Sequence, residues 1–323
     1  MTRKNKENST GFRTSIGGQA LMEGILMRGP QKQSIVCRTA DGGFSEKVEP
    51  LRFIKDQYPI LGWPLIRGVA IFLSSMVNGV RALSWSVEQL PEDQQEEPSK
   101  FDKWLYEKLG ERAEKVIVGI AVFLGICLSV FLFVVLPTLL AGLCSGFVRT
   151  PLVRNLFEGL LRIVIFLLYL WGCCHMKDVK RMFAYHGAEH KTIFCYEHGC
   201  PLTVENVRQE SRFHPRCGTS FLFVVIILSI LVFSLVSINL TMWDNVFVRV
   251  GLRLLLLPVV VALSYELNRW IGRHDDMLIA RALAAPGKWL QHLTTNEPDD
   301  SMIECAIRAL ELVIPDVKGE DAW

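Results

Sequence analysis

His186-Gly-Ala-Glu189-His190 sets two imidazoles four residues apart with a carboxylate beside the second. On a helix, positions 186, 189 and 190 share one face. Two imidazoles one turn apart can hold one metal ion. The carboxylate between them can serve as a third ligand or as a general base. This H-x-x-E-H order is that of the inverted zinc-peptidase motif. There, a metal-bound water becomes nucleophilic near neutral pH and the Glu takes its proton. A later Glu completes such a site, and Glu266 follows His190 by 76 residues.

A second element, His214-Pro-Arg-Cys217-Gly-Thr-Ser-Phe221, places His and Cys three apart on a stretch shaped by Pro and Gly. With His186 and His190 these make an ordinary zinc donor set. The composition points the same way. Five of seven His and five of nine Cys fall in the 45 residues 173–217. A lone His is usually a hydrogen-bonded structural residue, but such a cluster favours metal. Among these candidates Glu189 is the base, and His186, His190, His214 and Cys217 are the ligands of a divalent ion, zinc by donor type.

A third element runs Gly17-Gly-Gln-Ala-Leu-Met-Glu23-Gly-Ile-Leu-Met-Arg28-Gly-Pro30. It lacks the G-K-[ST] ending of a phosphate-binding loop. Glu23 and Arg28 could pair or contact a substrate, and the spacing alone reads as a structural loop.

Stepping outward, the chain of 323 residues is 50% hydrophobic and 21% charged. No Asp, Glu, Lys or Arg occurs in 116–148 or in 217–243. Uncharged runs beyond ~18 residues read as membrane spans. Two weaker spans follow these, at 155–176 and 246–266, each with two charges near its start. The expected fold is a mainly α integral membrane protein of about four transmembrane helices in two hairpins. A small N-terminal β-hairpin region and cytoplasmic helices complete it. The hairpin pairs 33–38 with 44–48 around Asp41-Gly-Gly43. A long apolar helix from Pro64 to about Leu90 carries Arg67, Ser74, Asn78, Arg81 and Glu88 on one face, and reads as an interfacial or bundle-packed amphipathic helix; as a fifth span it would need those charges satisfied.

The segments are then a disordered tail (1–14), a motif region (15–90), a linker (91–115), the first hairpin (116–176), a metal-site loop (177–216), the second hairpin (217–266) and a helical tail (267–323). In the tail, one amphipathic stretch over 275–293 is expected to break at Pro286-Gly287, and a second starts at Asp299. Lys and Arg crowd the 175–218 loop and the segments outside the spans, which places that loop and both termini in the cytoplasm. Thiols stay reduced there, so its Cys suggest ligands rather than disulfides. Asn239-Leu-Thr241 matches a glycosylation sequon, a pattern common by chance. The net charge of +2 argues for no nucleic-acid partner. The partners expected are the lipid bilayer and other membrane proteins.

The three elements together, GGQALMEGILMRGP, YHGAEHKTIFCYEHG and HPRCGTSF, closely resemble the YqhQ-type family of bacterial membrane proteins. The likeness covers roughly 15–285 and includes the PLIRG segment at 64–68. That family is a domain of unknown function, described as predicted metal-dependent enzymes. The resemblance points to Glu23, His186, Glu189, His190, His214 and Cys217, and to the bacterial cell membrane. The acidic linker at 92–103 and the extreme C-terminus are less typical of it.

Three functions fit these readings. The first is a metal-dependent hydrolase acting near the inner leaflet. The second is a scaffold or regulator with a structural zinc. The third is a transporter lined by Glu158, Arg162, Arg249 and Arg253.

Overall fold

The structure, a computed structural model, describes residues 12–51, 54–91, 99–144, 150–237, 245–274 and 276–322. Most of the expected N-terminal tail, linker residues 92–98 and the sequon at 239–241 lie outside the described residues.

The chain separates into two compact units. The first comprises Met1–Pro91, Leu170–Val225 and Val261–Trp323. At its centre is an antiparallel meander of β1 (Gly17–Leu21), β2 (Gly24–Arg28), β3 (Lys32–Arg38) and β4 (Phe44–Pro50). The expected hairpin is present as β3 and β4, with Arg38 opposite Phe44. The segment read as a structural loop forms two further strands, so the hairpin grows into a four-stranded sheet. Its strand character was hidden because β2 reads GILMR, an apolar run without alternation. Such runs belong to strands buried on both faces, and this one is. Ile25, Met27 and Val36 face a core with Tyr185, Ala188, Ala306 and Leu310. Leu21, Leu26, Ile35 and Cys37 face the opposite way, onto Ala82, Leu83 and Trp85.

Helix α1 (Ile66–Glu88) covers that second face. Its start is pinned by Glu266, which accepts from Arg67 at 2.7 and 2.5 Å and from the Leu65 amide at 3.3 Å. The helix is long and apolar enough to cross a membrane, and so are four others. Among the described residues five helices thus have the length and composition of a span, where about four were expected. Arg67 does not lower α1 from that set, because its charge is met within the protein by Glu266.

After α1, and apart from short helical turns such as Ile54–Gln57 and Pro59–Gly62, the helices in chain order are α2 (Lys100–Leu109), α3 (Ala113–Leu143), α4 (Pro151–Cys173), α5 (Lys177–Glu197), α6 (Val204–Arg208), α7 (Gly218–Ser237), α8 (Val246–Arg273), α9 (Leu278–Thr294) and α10 (Asp300–Glu311). The expected break in the tail does not occur: α9 runs through Pro286. Asp299 caps α10 by accepting from the Met302 amide at 2.9 Å, as an acidic N-terminus should.

The second unit comprises Glu92–Tyr169 and Ile226–Val260. Four of its charged residues, Glu158, Arg162, Arg249 and Arg253, are buried. Glu158 contacts Arg249 at 3.1 Å and also pairs with Arg253. Pro137 has no N–H to give the carbonyl four residues earlier, and a π-helical turn spans Phe131–Val135. The Phe133 carbonyl instead accepts from Arg162 Nε at 2.8 Å, while Arg162 Nη1 donates to Ser229 Oγ at 2.6 Å.

Candidate metal centre

Helix α5 presents His186 and His190 one turn apart, and the turn before α7 brings Cys217 to them. One donor atom from each of the three lies within 4.8 Å of the others. His186 Nε2 is 3.2 Å from Cys217 Sγ. Around a tetrahedral zinc such a pair would sit roughly 3.5 Å apart, so the group needs little adjustment to close on an ion.

The tautomers suit ligation. His186 Nδ1 bonds to the Thr294 carbonyl at 2.8 Å, and His190 Nδ1 to the Arg212 carbonyl at 2.5 Å. A carbonyl only accepts, so both Nδ1 atoms carry the proton and both Nε2 lone pairs face the site. Metal-binding imidazoles are oriented in this way by their second nitrogen. His190 Nε2 is buried with no hydrogen-bond partner, which is costly unless something occupies its lone pair.

Cys217 immediately precedes α7, and its sulfur takes the Thr219 amide at 3.5 Å and lies 3.2 Å from the Thr219 hydroxyl. Burial pushes the thiol up, but the imidazoles of His190 and His186 outweigh burial and hold it well below its ordinary value. Burial pushes His186 down, and the neighbouring Cys217 sulfur more than reverses this, raising it to about 9. Each of the two groups thus favours the charged form of the other, a role that a bound cation would take over for the sulfur.

Glu189 is 5% exposed. Its Oε1 accepts from the Gly18 amide at 2.9 Å, and its Oε2 has no partner. Burial raises its carboxyl against the pull of His186 and His190. Thus Gly18 of β1 has a definite task. A Cβ on Gly18 would lie 2.5 Å from the Leu26 carbonyl and 3.1 Å from Glu189 Cδ. Gly18→Ala is expected to cost ~1–3 kcal/mol of stability through overpacking and to dislodge Glu189. A lowered melting temperature checks the first effect. Gly187 answers a similar constraint, since its Cβ would lie 2.1 Å from the Asn296 carbonyl.

His214 stands beside the group rather than in it. Its ring is 5.6 Å from that of His190. Gln291 grips its backbone twice, accepting from its N–H and donating to its carbonyl, each at 2.8 Å. Its Nδ1 accepts from the Arg216 amide at 3.4 Å and its Nε2 is 3.7 Å from Glu197. Burial lowers it to about 4 despite Glu197, so the ring is neutral. Its Nε2 has no hydrogen-bond partner.

The other motif residues act at a distance from these donors. Glu23, at a left-handed φ of 48° in the β1–β2 turn, binds Arg181 through both carboxylate oxygens and accepts from the Tyr185 hydroxyl at 3.2 Å. It fastens the sheet to the first half of α5. Arg28 does not meet Glu23. It donates to Gln33 Oε1 at 3.2 Å and Ser75 Oγ at 3.4 Å. Glu266 sits on Arg67, outside the three-donor group. Sequence reasoning did not single out Gln291, Glu197 or Arg181. The carbonyls of Thr294 and Arg212 carry no side-chain signal at all, whereas Gly18 is of a residue type that permits close backbone approach.

The fold and site define a class: a mainly helical protein with apolar helices of membrane-spanning length and a buried His-His-Cys cluster beside a carboxylate. The chain belongs to the DUF1385 family, described as a protein of unknown function, whose model matches residues 63–316. It is 32% identical over 303 residues to the uncharacterized protein YqhQ of Bacillus subtilis (strain 168), covering 91% of each chain. No solved structure matches the chain.

Proposed function

We propose that this is a multi-pass bacterial membrane protein, both termini cytoplasmic, that works as a metal-dependent hydrolase at the inner leaflet. One zinc-class ion is held by His186 Nε2, His190 Nε2 and Cys217 Sγ. The carrying observation is the convergence of three donors whose second nitrogens are already fixed, with the free Glu189 oxygen beside them. Three protein ligands leave a fourth position for water, the pattern of catalytic zinc. Such an ion brings the pKa of a bound water near 7 and polarises an acyl or phosphoryl oxygen. Glu189 Oε2 accepts the proton of the attacking water, while the Gly18 amide holds its other oxygen in place.

A structural-zinc scaffold is the second reading, and His214 favours it. The His214 ring lies 5.6 Å from that of His190, and it would close the site as a fourth ligand by giving up the Arg216 amide, moving its proton to Nδ1 and bringing the freed Nε2 lone pair to the ion. X-ray absorption on the zinc-loaded protein separates the two. The hydrolase requires two imidazoles, one sulfur and one non-imidazole light atom. Three imidazoles and one sulfur would overturn it.

A further inference from the structure

Helix α9 touches the metal centre with one face only. That face supplies the Thr294 carbonyl to His186 and Gln291 to His214. The other face is apolar and bare. Leu278 is 82% exposed, Ile279 68% and Trp289 57%. Beside it lies a cavity of about 800 Å³, within the range of small-molecule sites. Phe213 and Pro215, the residues flanking His214, form one wall. Ala280, Ala284 and Trp289 of α9 form another. Arg281 and Lys288 line the same cavity, and Asp276 is its one acidic lining residue. Among the described residues neither Arg281 nor Lys288 has an ion-pair partner.

We propose that this cavity binds an anionic phospholipid. Its phosphate is held by Arg281 and Lys288, and its acyl chains follow the apolar face of α9 toward the bilayer. Charge complementarity selects the occupant. A neutral apolar partner would leave both cations unmatched. A soluble anion would leave the exposed Leu278, Ile279 and Trp289 wet. An anionic lipid satisfies both, in the manner of interfacial helices with basic and aromatic residues. Trp289 lies at the border of the two zones, where Trp is favoured in membrane proteins. This inference rests on the membrane-bound reading above. The walls of the cavity include the neighbours of His214 but none of the three donors, so the lipid is proposed as a ligand bound beside the centre and not as its substrate.

The test uses the full chain in mixed micelles, titrated with brominated phosphatidylglycerol or brominated phosphatidylcholine. Bromine quenches nearby Trp, and the difference from Trp289→Phe isolates Trp289. Phosphatidylglycerol should quench Trp289 at a lower mole fraction than phosphatidylcholine. Arg281→Gln/Lys288→Gln should reduce that preference on the order of 10-fold, with metal content unchanged. Arg281→Lys/Lys288→Arg should keep it. Equal quenching by the two lipids, an unreduced preference in the glutamine variant, or no quenching of Trp289 by either lipid would each overturn the proposal. The last result would assign the face to a protein partner. Metal measured on the same samples keeps the two readings apart. A metal-free protein that still prefers phosphatidylglycerol would sink the metal centre and leave the lipid site standing.

Discussion

His190→Ala is expected to empty the proposed metal centre. The purified parent should hold about one zinc-class ion per chain, and the variant should hold almost none. His190 is 1% exposed, its Nδ1 is committed to the Arg212 carbonyl, and its Nε2 has no hydrogen-bond partner. Removing it leaves His186 and Cys217, a two-donor set. Loss of a residue that merely orients a ligand costs ~10–100-fold in metal affinity, so loss of a ligand should exceed ~100-fold. His214→Ala supplies the contrast. If His214 is not a ligand, the variant keeps its ion, and if it closes the site, it loses the ion as His190→Ala does. Elemental analysis of protein purified without chelator reads all three. Full metal in both His190→Ala and Cys217→Ala would remove the centre from consideration. Acid should release the ion from the parent, because the ligands bind deprotonated and protons compete for the same lone pairs.

The parts of this fold that were legible in the sequence are those with a strong period or a strong absence. The charge-free runs at 116–148 and 217–243 became α3 and α7 because nothing in them opposes an apolar surrounding. The Asp41-Gly-Gly43 turn showed itself through its turn chemistry, and β3 and β4 followed from it. Strand β2 was not legible, since a five-residue apolar run fits a buried strand or a loop equally well. The spanning length of α1 was obscured by Arg67, whose partner Glu266 lies about 200 positions away. A side chain looks unsuited to an apolar helix until its distant partner is known. Pro286 misled in the opposite direction. Its local signal says break, and packing carries the helix through it.

The centre was legible as a set of residue types but not as a geometry. His186 and His190 follow from helical spacing alone, and Cys217 from being in the same cysteine- and histidine-rich window. The distinction between Cys217 and His214, which share one turn, cannot be read from their spacing. It depends on Gln291 holding the His214 backbone and on Arg216 donating to its Nδ1. The role of the N-terminal glycines likewise needs the third dimension. Gly18 meets Glu189 across 171 positions, and only a residue without a side chain allows the approach.

Glu189→Gln should keep the metal and abolish the work. Glutamine has the same shape, and its amide oxygen can still accept from the Gly18 N–H that Glu189 Oε1 engages at 2.9 Å. What it cannot do is take a proton from water at the position of Oε2, the atom without a partner. Removing a positioned base typically costs ~10²–10⁴-fold in rate. The substitution also removes a buried acid whose carboxyl is raised by its burial, so folding should not suffer. The paired readout is metal content and rescue of a strain lacking the chromosomal copy. Retained metal with failed rescue is the expected result. Full rescue by Glu189→Gln would defeat the hydrolase and favour the scaffold, where this carboxylate only fills space. Loss of metal together with rescue would show that the function does not need the ion, and would defeat the metal-dependent reading altogether.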